Sequence, residues 1–495
     1  MKGVGSMKSK VEQSLDILLI KVPSAVQEFY NPRGCEIPLS LCYLGAYLKS
    51  HGRTTAVLDL DHLGRISPYL ESALRQHAPR VVGITSYTHN IHRAERIAQI
   101  AKAVLPGVPV VVGGFHVSAL PVETLQEFHA FDYAVFGEGE QTLLELVNAL
   151  PDGDVDKVLG VAYRDGENIH CNAPRPLIEN IDILPFPDRD LIPVHKYIPN
   201  IGKYFRLPTT TILSSRGCPH HCIFCDKSVF RYRHRRRSPE NFLEELRYCR
   251  AMYGIRDFGL RDESPTGHRT RFRELCRKII DERLDITWHC YARIDELDKE
   301  ILHIMREAGC YQIDFGMDAV SKNSMDRIGK HLDLQQAREI VLYMHKIGME
   351  VKMNYIIGFP WETIADIRET TRFARRIGAD FATFNCFKPF PGSALYAELR
   401  DTGRLHQTPW DEYYTTSCKL QFDAKFTEEE VAKELHRAFF QFYFRPGYLV
   451  SRIQRYYCKP RRGLSLITRG LSIMLREAWG LMTRTGMRLS TSAAS

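Results

Sequence analysis

The chain has 495 residues, enough for two or three domains that each bury a core. Hydrophobic residues make up 44% and charged residues 25%, and no stretch reaches the roughly 18 apolar residues that cross a bilayer. The chain has thirteen cysteines, and its N-terminal segment is too short and polar to be a signal peptide. These features predict a protein of the reducing cytoplasm, where thiols bind metal or stay free. The net charge of +8 is concentrated in residues 231–237 and after Arg445, but no recognition motif accompanies these clusters, so nucleic-acid binding is not expected.

Residues 10–150 alternate strand and helix signals. Apolar runs predict strands at 15–22, 55–59, 80–85, 108–113 and 133–136, and helical spacing predicts helices at 40–51, 66–77, 91–103, 121–127 and 141–150. Strands that alternate with helices of this length predict an α/β domain with a doubly wound parallel sheet. Such sheets bind ligands at the carboxyl ends of their strands.

Three of these predicted strands end in glycines and small or polar residues. The segments are Val82-Gly-Ile-Thr-Ser, Val112-Gly-Gly-Phe-His and Phe136-Gly-Glu-Gly-Glu. Glycines at such turns let a bulky ligand approach the backbone. Each segment alone is a weak signal, because any sheet of this type has glycine turns.

Residues 151–207 are predicted to connect two domains. The pattern indicates a hairpin of residues 158–164 and 167–171 around Asp165 and Gly166, followed by a proline-rich linker that begins at Leu184. The connector therefore separates the first domain from a second α/β series.

The second series begins at Thr210. Strands are predicted at 210–213, 257–260, 286–291, 311–316, 350–357 and 381–387, and helices at 271–282, 298–308, 334–347 and 363–377. Ser238 and Pro239 form a cap and first-turn pair that starts a further helix. Six strands with helices between them predict a partial (β/α) barrel of the TIM type over residues 208–400, with active residues at the carboxyl ends of its strands. A helical C-terminal region is expected over residues 401–495.

The first strand of this series leads into a loop with three cysteines, Cys218, Cys222 and Cys225, spaced C-x₃-C-x₂-C. Thiolates this close repel one another unless they are metallated or oxidised, and soft sulfur ligands favour zinc or an iron–sulfur cluster. A closed structural site uses four ligands, so three ligands imply a cluster with one iron open to a substrate or cofactor. A zinc site completed by His220 or His221 is the alternative, although zinc ligands usually come as two separated pairs.

The cysteine loop and the chain around it resemble the radical S-adenosylmethionine enzymes, and specifically their cobalamin-binding branch. The likeness covers the glycine-rich turns of residues 15–150, where His116 and Pro121 follow the double glycine, and the barrel to about Leu399. In that family the open iron binds S-adenosylmethionine, and an electron from the cluster cleaves it to a 5′-deoxyadenosyl radical. The resemblance therefore implies a [4Fe–4S] cluster, S-adenosylmethionine and cobalamin as cofactors.

The resemblance also assigns residues to each cofactor, with Cys218, Cys222 and Cys225 on the cluster. Residues expected at S-adenosylmethionine are Phe224, Asp262, Glu263, Arg293, Asp318 and Ile357. Residues expected at cobalamin are Thr85, Ser86, Gly113, Gly114, His116, Gly137, Glu138 and Gly139. The chain departs from relatives at Arg261, where they more often have an acid, and at Asp318, where they usually have glutamate.

The loop after the second predicted strand differs from the motif that ligates cobalt from below. That motif is Asp-x-His-x-x-Gly, whereas this chain has Asp59-Leu-Asp-His62-Leu-Gly64, with His62 displaced by one position. We expect His62 to be an ordinary loop histidine and the cobalt to have no protein histidine below it.

The region after Phe426 interleaves arginines with aromatic and aliphatic residues in segments 438–445, 448–457 and 464–475. A basic aromatic helix of this kind can lie on an anionic membrane surface. The alternative is a helical cap over the barrel mouth, in which the arginine stems cover apolar surface.

The resemblance implies a methyltransferase that acts on an unactivated carbon of a small-molecule, lipid-like or tetrapyrrole substrate. One S-adenosylmethionine would methylate cobalamin, and another would supply the radical that prepares the substrate carbon. A cyclase that uses the same cofactors without methyl transfer, and a non-catalytic cobalamin sensor or scaffold, are the alternatives. The expected partners are the substrate and an electron donor such as flavodoxin or ferredoxin.

Overall fold

The computed structural model describes residues 14–23, 35–61, 66–200, 202–448 and 450. The strands of its first sheet are β1 (Ile17–Lys21), β2 (Thr55–Asp59), β3 (Val81–Ser86), β4 (Val110–Gly114), β5 (Tyr133–Val135), β6 (Val161–Asp165) and β7 (Asn168–Cys171). Their spatial order is β2-β1-β3-β4-β5-β6-β7. The first five run parallel and the last two pair antiparallel. The winding direction reverses between β1 and β3, which is where doubly wound sheets bind their ligands.

Helices cover both faces of this sheet. They are α1 (Leu39–Ser50), α2 (Ile66–His77), α3 (Ile91–Val104), α4 (Phe115–Ala119), α5 (Pro121–Glu127) and α6 (Gly139–Ala149). Alternate residues of β1 pack into different cores, with Ile17 and Leu19 on one face and Leu18 and Ile20 on the other. A strand buried on both faces has to be a continuous apolar run. The predicted doubly wound sheet is confirmed, and the predicted hairpin adds β6 and β7 to its edge.

The second sheet has six parallel strands, and a short ladder lies beside it. The strands are β8 (Thr209–Ile212), β11 (Asp257–Leu260), β12 (Thr287–Ala292), β13 (Cys310–Asp318), β14 (Glu350–Ile357) and β15 (Phe381–Cys386), and the ladder pairs β9 (Ser215–Arg216) with β10 (Arg235–Arg236). The six strands lie side by side in chain order. Right-handed crossovers between strands in such an order put all the helices on one face, which is the geometry of an open barrel.

The helices of the barrel are α7 (Pro239–Tyr253), α8 (Arg269–Asp281), α9 (Lys299–Glu307), α10 (Lys322–Ile328), α11 (Leu334–Lys346), α12 (Ile364–Ile377) and α13 (Ala394–Asp401). Burial in β14 alternates: Val351, Met353 and Tyr355 lie in the helix-covered core, whereas Lys352 and Asn354 are only partly buried. One face of the barrel sheet is therefore apolar and the lumen face is polar. The predicted partial barrel is confirmed.

The described C-terminal helix α14 (Glu428–Tyr443) packs along the last part of the barrel. The Arg368 guanidinium on α12 binds the Glu434 carboxylate at 2.7 Å, so this helix extends the outer helical layer of the barrel. The tail segments at 451–457 and 464–475 lie outside the described residues. In the part of the chain that the structure describes, no helix combines the length and the apolar content needed to span a bilayer.

Candidate active site

The cysteine loop leaves the barrel at β9 and returns at β10, which pair so that Arg216 lies opposite Arg235. Gly217 begins the loop with a φ of +85°, and a Cβ atom there would overlap the Arg233 carbonyl oxygen, so the turn requires glycine. Within the loop the Cys225 amide donates to the Cys222 carbonyl oxygen at 3.1 Å. Cys218 and Cys222 are half-buried and Cys225 is exposed, so the thiols remain accessible to a cluster.

The geometry of the loop disfavours the zinc alternative. The three sulfur atoms do not all lie within 4.8 Å of one another. Zinc binds thiolates at about 2.3 Å, which requires sulfurs closer together than this. Both candidate histidines are also engaged, because His220 Nε2 lies 2.6 Å from Glu296 Oε1 and the His221 ring stacks on Tyr232 with centroids 4.3 Å apart.

Two charged side chains predicted at S-adenosylmethionine lie against this loop. Glu263 is solvent-exposed, and its Oε2 accepts a hydrogen bond from the Gly217 amide at 3.0 Å. Arg293 donates to Cys222 Sγ at 3.6 Å and pairs with Asp295 at 2.7 Å. A carboxylate and a guanidinium on either side of the thiols can receive the ammonium and carboxylate groups of an amino acid.

The other residues predicted at S-adenosylmethionine are placed less directly. Phe224 is half-buried in the loop and packs against Phe359 with ring centroids 5.9 Å apart. Asp318 ends β13 with a φ of +58°, and Lys330 Nζ holds its carboxylate at 2.7 Å. Ile357 is fully buried in the core beneath the helices, so only its backbone is available to a ligand.

Asp262 has protein partners for both carboxylate oxygens. Oδ1 accepts from the Ser215 hydroxyl at 2.6 Å and the Ser214 hydroxyl at 3.0 Å, and Oδ2 accepts from the Ser214 amide at 3.1 Å. The side chain is 1% exposed. Its present contacts anchor the start of the cysteine loop to β11, and binding to a ligand would require them to break.

The glycine turns of the first sheet form an open edge. Gly114 has a φ of +113°, and a Cβ atom there would overlap the Ser86 carbonyl oxygen. The neighbouring Ser86 hydroxyl donates to the Gly113 carbonyl oxygen at 3.3 Å, and Thr85 beside it is half-buried. At Gly137, with a φ of +80°, no described atom lies within 4 Å of where a Cβ atom would stand. A bulky ligand can therefore approach the backbone at Gly137, whereas Gly114 is required by the close approach of its own turn to Ser86.

A flat aromatic surface adjoins the same edge. Tyr87 and Phe115, which follow β3 and β4, stack with ring centroids 5.7 Å apart. They remain 50% and 42% exposed, although apolar rings are usually buried. Open glycines beside exposed flat rings fit a broad planar ligand such as the corrin ring of cobalamin. Gly139, which begins α6, completes the set of glycines at this edge.

Two residues predicted at cobalamin direct their side chains elsewhere. His116 is buried against Trp410 from the C-terminal region, with ring centroids 4.9 Å apart, and burial lowers the pKa of His116 to about 3. Glu138 binds Arg216 and Arg235 at 2.9 and 2.6 Å. Contacts of these two residues with a ligand at the glycine edge would have to come from the backbone.

The carboxyl ends of the two sheets face each other. Glu36, in the segment between β1 and α1, makes a two-pronged ion pair with Arg261 at the end of β11, at 2.7 and 2.8 Å, and also binds Lys203 at 3.1 Å. Burial opposes ionisation of Glu36, but these two cations lower its pKa to about 2. Sequence reasoning missed Glu36 and Lys203, which have no local motif.

Polar side chains continue from this contact into the barrel lumen. His289 Nε2 lies 3.2 Å from Arg261, and burial with the adjacent guanidinium lowers the pKa of His289 to about 3. Deeper in the lumen, Asp314 pairs with Lys352 at 3.1 Å. In the sequence, these residues are indicated by polar side chains at every second position of otherwise apolar strands.

An acidic pair at the end of β2 forms an ion cluster. Cys35, Asp59 and Asp61 have ligating atoms within 4.8 Å of one another, but Lys21 Nζ lies 2.6 Å from Asp61 and 3.2 Å from Asp59. The ammonium group therefore occupies the position that a metal ion would need. His62, the next residue along the chain, lies outside the described residues.

Comparison with known proteins agrees with this arrangement. Residues 30–147 match the family described as the B12 binding domain, and residues 212–374 match the radical SAM superfamily. An uncharacterized methyltransferase of Pyrococcus horikoshii, PH0819, is 33% identical over 89% of this chain and 95% of its own length. The anaerobic magnesium-protoporphyrin IX monomethyl ester cyclase of Rubrivivax gelatinosus is 31% identical over 75% of this chain and 69% of its own.

Among solved structures, the radical S-adenosylmethionine methyltransferase TsrM of Kitasatospora setae, with cobalamin and a [4Fe–4S] cluster bound, shares the fold. The TM-score is 0.66 at 20% identity, over 80% of this chain and 76% of that one. The two matched families lie in the order that the two sheets follow along the chain. The chain therefore belongs to the cobalamin-binding branch of the radical S-adenosylmethionine enzymes, and its cofactors are cobalamin, a [4Fe–4S] cluster and S-adenosylmethionine.

Proposed function

We propose that this protein is a methyltransferase that places a methyl group on an unactivated carbon of a small-molecule substrate. The observation that carries the proposal is the contact of Glu36 with Arg261, because it puts the glycine edge of the first sheet opposite the cysteine end of the barrel. When bound, the cofactors supply the methyl group and the radical that such a reaction needs. The chain's own task is to hold the substrate between two cofactor sites and to exclude water.

Within this proposal, Cys218, Cys222 and Cys225 hold the cluster. Glu263 and Arg293, which flank the loop, orient the ammonium and carboxylate groups of S-adenosylmethionine. The turns at Gly113–Gly114 and Gly137–Gly139 receive cobalamin through their backbone. The domain limits that follow are residues 10–150 for cobalamin, 208–400 for the barrel, 151–207 for the connector and 401–495 for the C-terminal region.

The lumen between these sites supports a substrate with polar or ionised groups. Arg261, Lys203 and Lys352 provide three cations against the carboxylates of Glu36 and Asp314. His289 has a lowered pKa and is neutral near pH 7, so its ring donates and accepts hydrogen bonds without adding a charge to the lumen. A purely hydrocarbon substrate would cover these ion pairs without offering them a polar group, whereas a tetrapyrrole with carboxylate groups could accept hydrogen bonds from the cations.

Cyclisation without methyl transfer is the second candidate. It is favoured by the 31% identity to a magnesium-protoporphyrin cyclase over three quarters of this chain. A non-catalytic cobalamin sensor is a weaker candidate, because it has no use for three accessible thiols beside paired charges. In either catalytic role the cluster needs a one-electron donor, such as flavodoxin or ferredoxin. The predicted membrane contact rests mainly on residues 451–475, which lie outside the described residues.

The test is an anaerobic turnover with S-adenosylmethionine that carries an isotope-labelled methyl group. The reconstituted full-length protein is incubated with a metabolite extract, a reductant and cobalamin, and the products are followed by mass spectrometry. Label in a metabolite together with released 5′-deoxyadenosine supports methyl transfer. Deoxyadenosine release without transferred label supports cyclisation. If neither appears above the level of Cys222→Ala, the enzymatic proposal fails.

A further inference from the structure

One carboxylate of the glycine turn reaches across to the base of the cysteine loop. Glu138 Oε1 binds Arg216 at 2.9 Å and Oε2 binds Arg235 at 2.6 Å. The neighbouring Glu140 binds the second terminal nitrogen of Arg216 at 2.6 Å. All four side chains are between 3% and 8% exposed, so these charges are paired in the protein interior.

The two arginines form the neck of the loop that carries the cysteines. Arg216 and Arg235 lie opposite each other in the β9–β10 ladder, and residues 217–234 are enclosed between them. Glu138 therefore holds both strands of the neck with a single side chain. Its Oε2 also accepts a hydrogen bond from the Ile178 amide at 2.9 Å, so the same carboxylate holds the connector as well.

The turn that supplies this carboxylate is also the one whose backbone faces the cobalamin edge. Gly137 and Gly139 flank Glu138, and the Gly137 amide is fixed by the Ser118 hydroxyl at 3.1 Å. A shift of the turn would thus move the backbone of the edge and the base of the cysteine loop together. Such coupling suits a reaction whose two cofactors must keep a fixed separation.

We propose that Glu138 and Arg216 are positioning residues that set the separation between the cobalamin edge and the cluster loop. The inference rests on the proposed function in assigning cobalamin to the glycine edge and a cluster to that loop. Loss of one partner would leave a buried charge uncompensated, so the loop neck would shift or open to water. The pair would then act on catalysis through geometry, without touching substrate or cofactor.

The chain offers a matched control. Glu245 is fully buried and also bridges two arginines, Arg189 at 2.8 Å and Arg237. This group joins the connector to the barrel just outside the loop neck, because Arg237 follows the β9–β10 ladder, but it has no residue in the glycine turn. Glu138→Gln and Glu245→Gln therefore remove the same charge from equally buried networks, and only the first lies between the two cofactor sites.

The experiment measures the full-length protein with cob(II)alamin bound and the cluster reduced. Paramagnetic relaxation of the cobalt signal by the cluster reports their separation by electron paramagnetic resonance. At matched iron and corrinoid content, Glu138→Gln is expected to change this relaxation, whereas Glu245→Gln leaves it at the wild-type value. An unchanged relaxation in Glu138→Gln, or an equal change in both variants, would overturn the inference.

A second measurement does not depend on the cofactors, so it separates failure of this inference from failure of the proposed function. In the apoprotein, hydrogen–deuterium exchange of residues 217–234 is expected to be roughly tenfold faster or more in Glu138→Gln than in wild type. Exchange of the same residues in Glu245→Gln should remain within about threefold of wild type, because Arg237 lies outside the ladder and still donates to Asn241 and to the Leu213 carbonyl oxygen. If residues 217–234 exchange at the same rate in both variants, Glu138 is a general interface residue and the inference is wrong.

Discussion

At the carboxyl edge of the first sheet, Gly113, Gly114 and Gly137 carry no side chain, whereas at the carboxyl edge of the barrel, Glu263 and Arg293 present opposite charges beside the cysteine loop. Both edges occupy the same position in an α/β fold. A broad planar ligand needs room and close backbone approach. A small ligand with separated charges needs matched partners at fixed places. The glycine edge thus suits its ligand because side chains are absent there. The barrel edge suits its ligand because it has charged side chains at fixed places.

This contrast makes opposite demands on substitution. At the glycine edge an added methyl group should be harmful even though no chemistry is lost. At the barrel edge a change that keeps the shape but removes a charge or a thiol should be harmful even though nothing is crowded. Each side of this contrast can be tested by a substitution with a matched control.

The largest effect is expected from Cys222→Ala. Loss of one of three thiolates should remove the cluster, so that iron content falls to background and 5′-deoxyadenosine formation is abolished. The measurements are iron quantification and chromatography of an anaerobic reaction. Cys276→Ala, which removes a fully buried core cysteine of α8, serves as the control and should retain iron. Full iron content in Cys222→Ala would show that the loop does not hold the cluster.

Gly114→Ala tests the glycine edge. The new Cβ atom would overlap the Ser86 carbonyl oxygen at a positive φ, so the turn has to move, with a strain of about 1–3 kcal/mol. Corrinoid absorbance per protein after reconstitution should fall strongly while iron content is retained. Gly107→Ala also has a positive φ but open space around the added atom, and it should keep its corrinoid. Equal corrinoid loss in both would mean that strain alone, and not the cradle at Gly114, is responsible.

The fold was predictable where local periodicity carries the information. The apolar run of β1 and the alternation of β14 reflect burial on two faces and on one face, and each pattern indicates its sheet type directly. The C-x₃-C-x₂-C spacing likewise indicates metal chemistry, because its members are close in the chain. Features of this kind need no knowledge of the tertiary structure.

Contacts between distant segments could not be predicted in the same way. Residues 231–237 form a run of like charge in the sequence, yet Arg235 and Arg237 are buried on Glu138 and Glu245. His116 follows a glycine turn, but Trp410, nearly 300 residues later, covers it. In each case the partner is brought close by the tertiary structure and not by a local pattern. A single sequence contains the residues of such pairs but not their pairing.

Glu263→Gln tests the charge at the barrel edge with almost no change of shape. The Gly217 amide can still donate to the side-chain oxygen, so the loop should keep its iron, but the ammonium group of S-adenosylmethionine loses a charged acceptor. A charge-assisted hydrogen bond contributes about 1.5–3 kcal/mol, so the dissociation constant should rise roughly 10- to 100-fold. Equilibrium binding to the cluster-loaded protein measures it. Glu274→Gln, an exposed change on α8, is the control. An unchanged dissociation constant in Glu263→Gln would remove this residue from the site.

Glu362→Gln tests how the barrel edge is supported from behind, through stability and not through a bound cofactor. Its carboxyl accepts hydrogen bonds from the Gly358 and Phe359 amides and the Ser324 hydroxyl, yet burial raises the pKa of Glu362 from 4.5 to about 7. The folded protein therefore keeps a proton that the unfolded chain releases between these values. Wild-type stability should fall as pH rises through that window, by at most about 1.4 kcal/mol per pH unit, and level off above it.

Glutamine does not titrate, so Glu362→Gln should gain stability relative to wild type as pH rises from 4.5 to 7. Urea midpoints at several pH values measure the difference, with the exposed Glu369→Gln on α12 as the control. A difference that stays constant with pH would mean that the three donors keep Glu362 ionised in the folded state. In that case the loop behind the barrel edge would hold a permanent negative charge, and the contrast between an uncharged glycine edge and a charged barrel edge would extend one layer deeper into the protein.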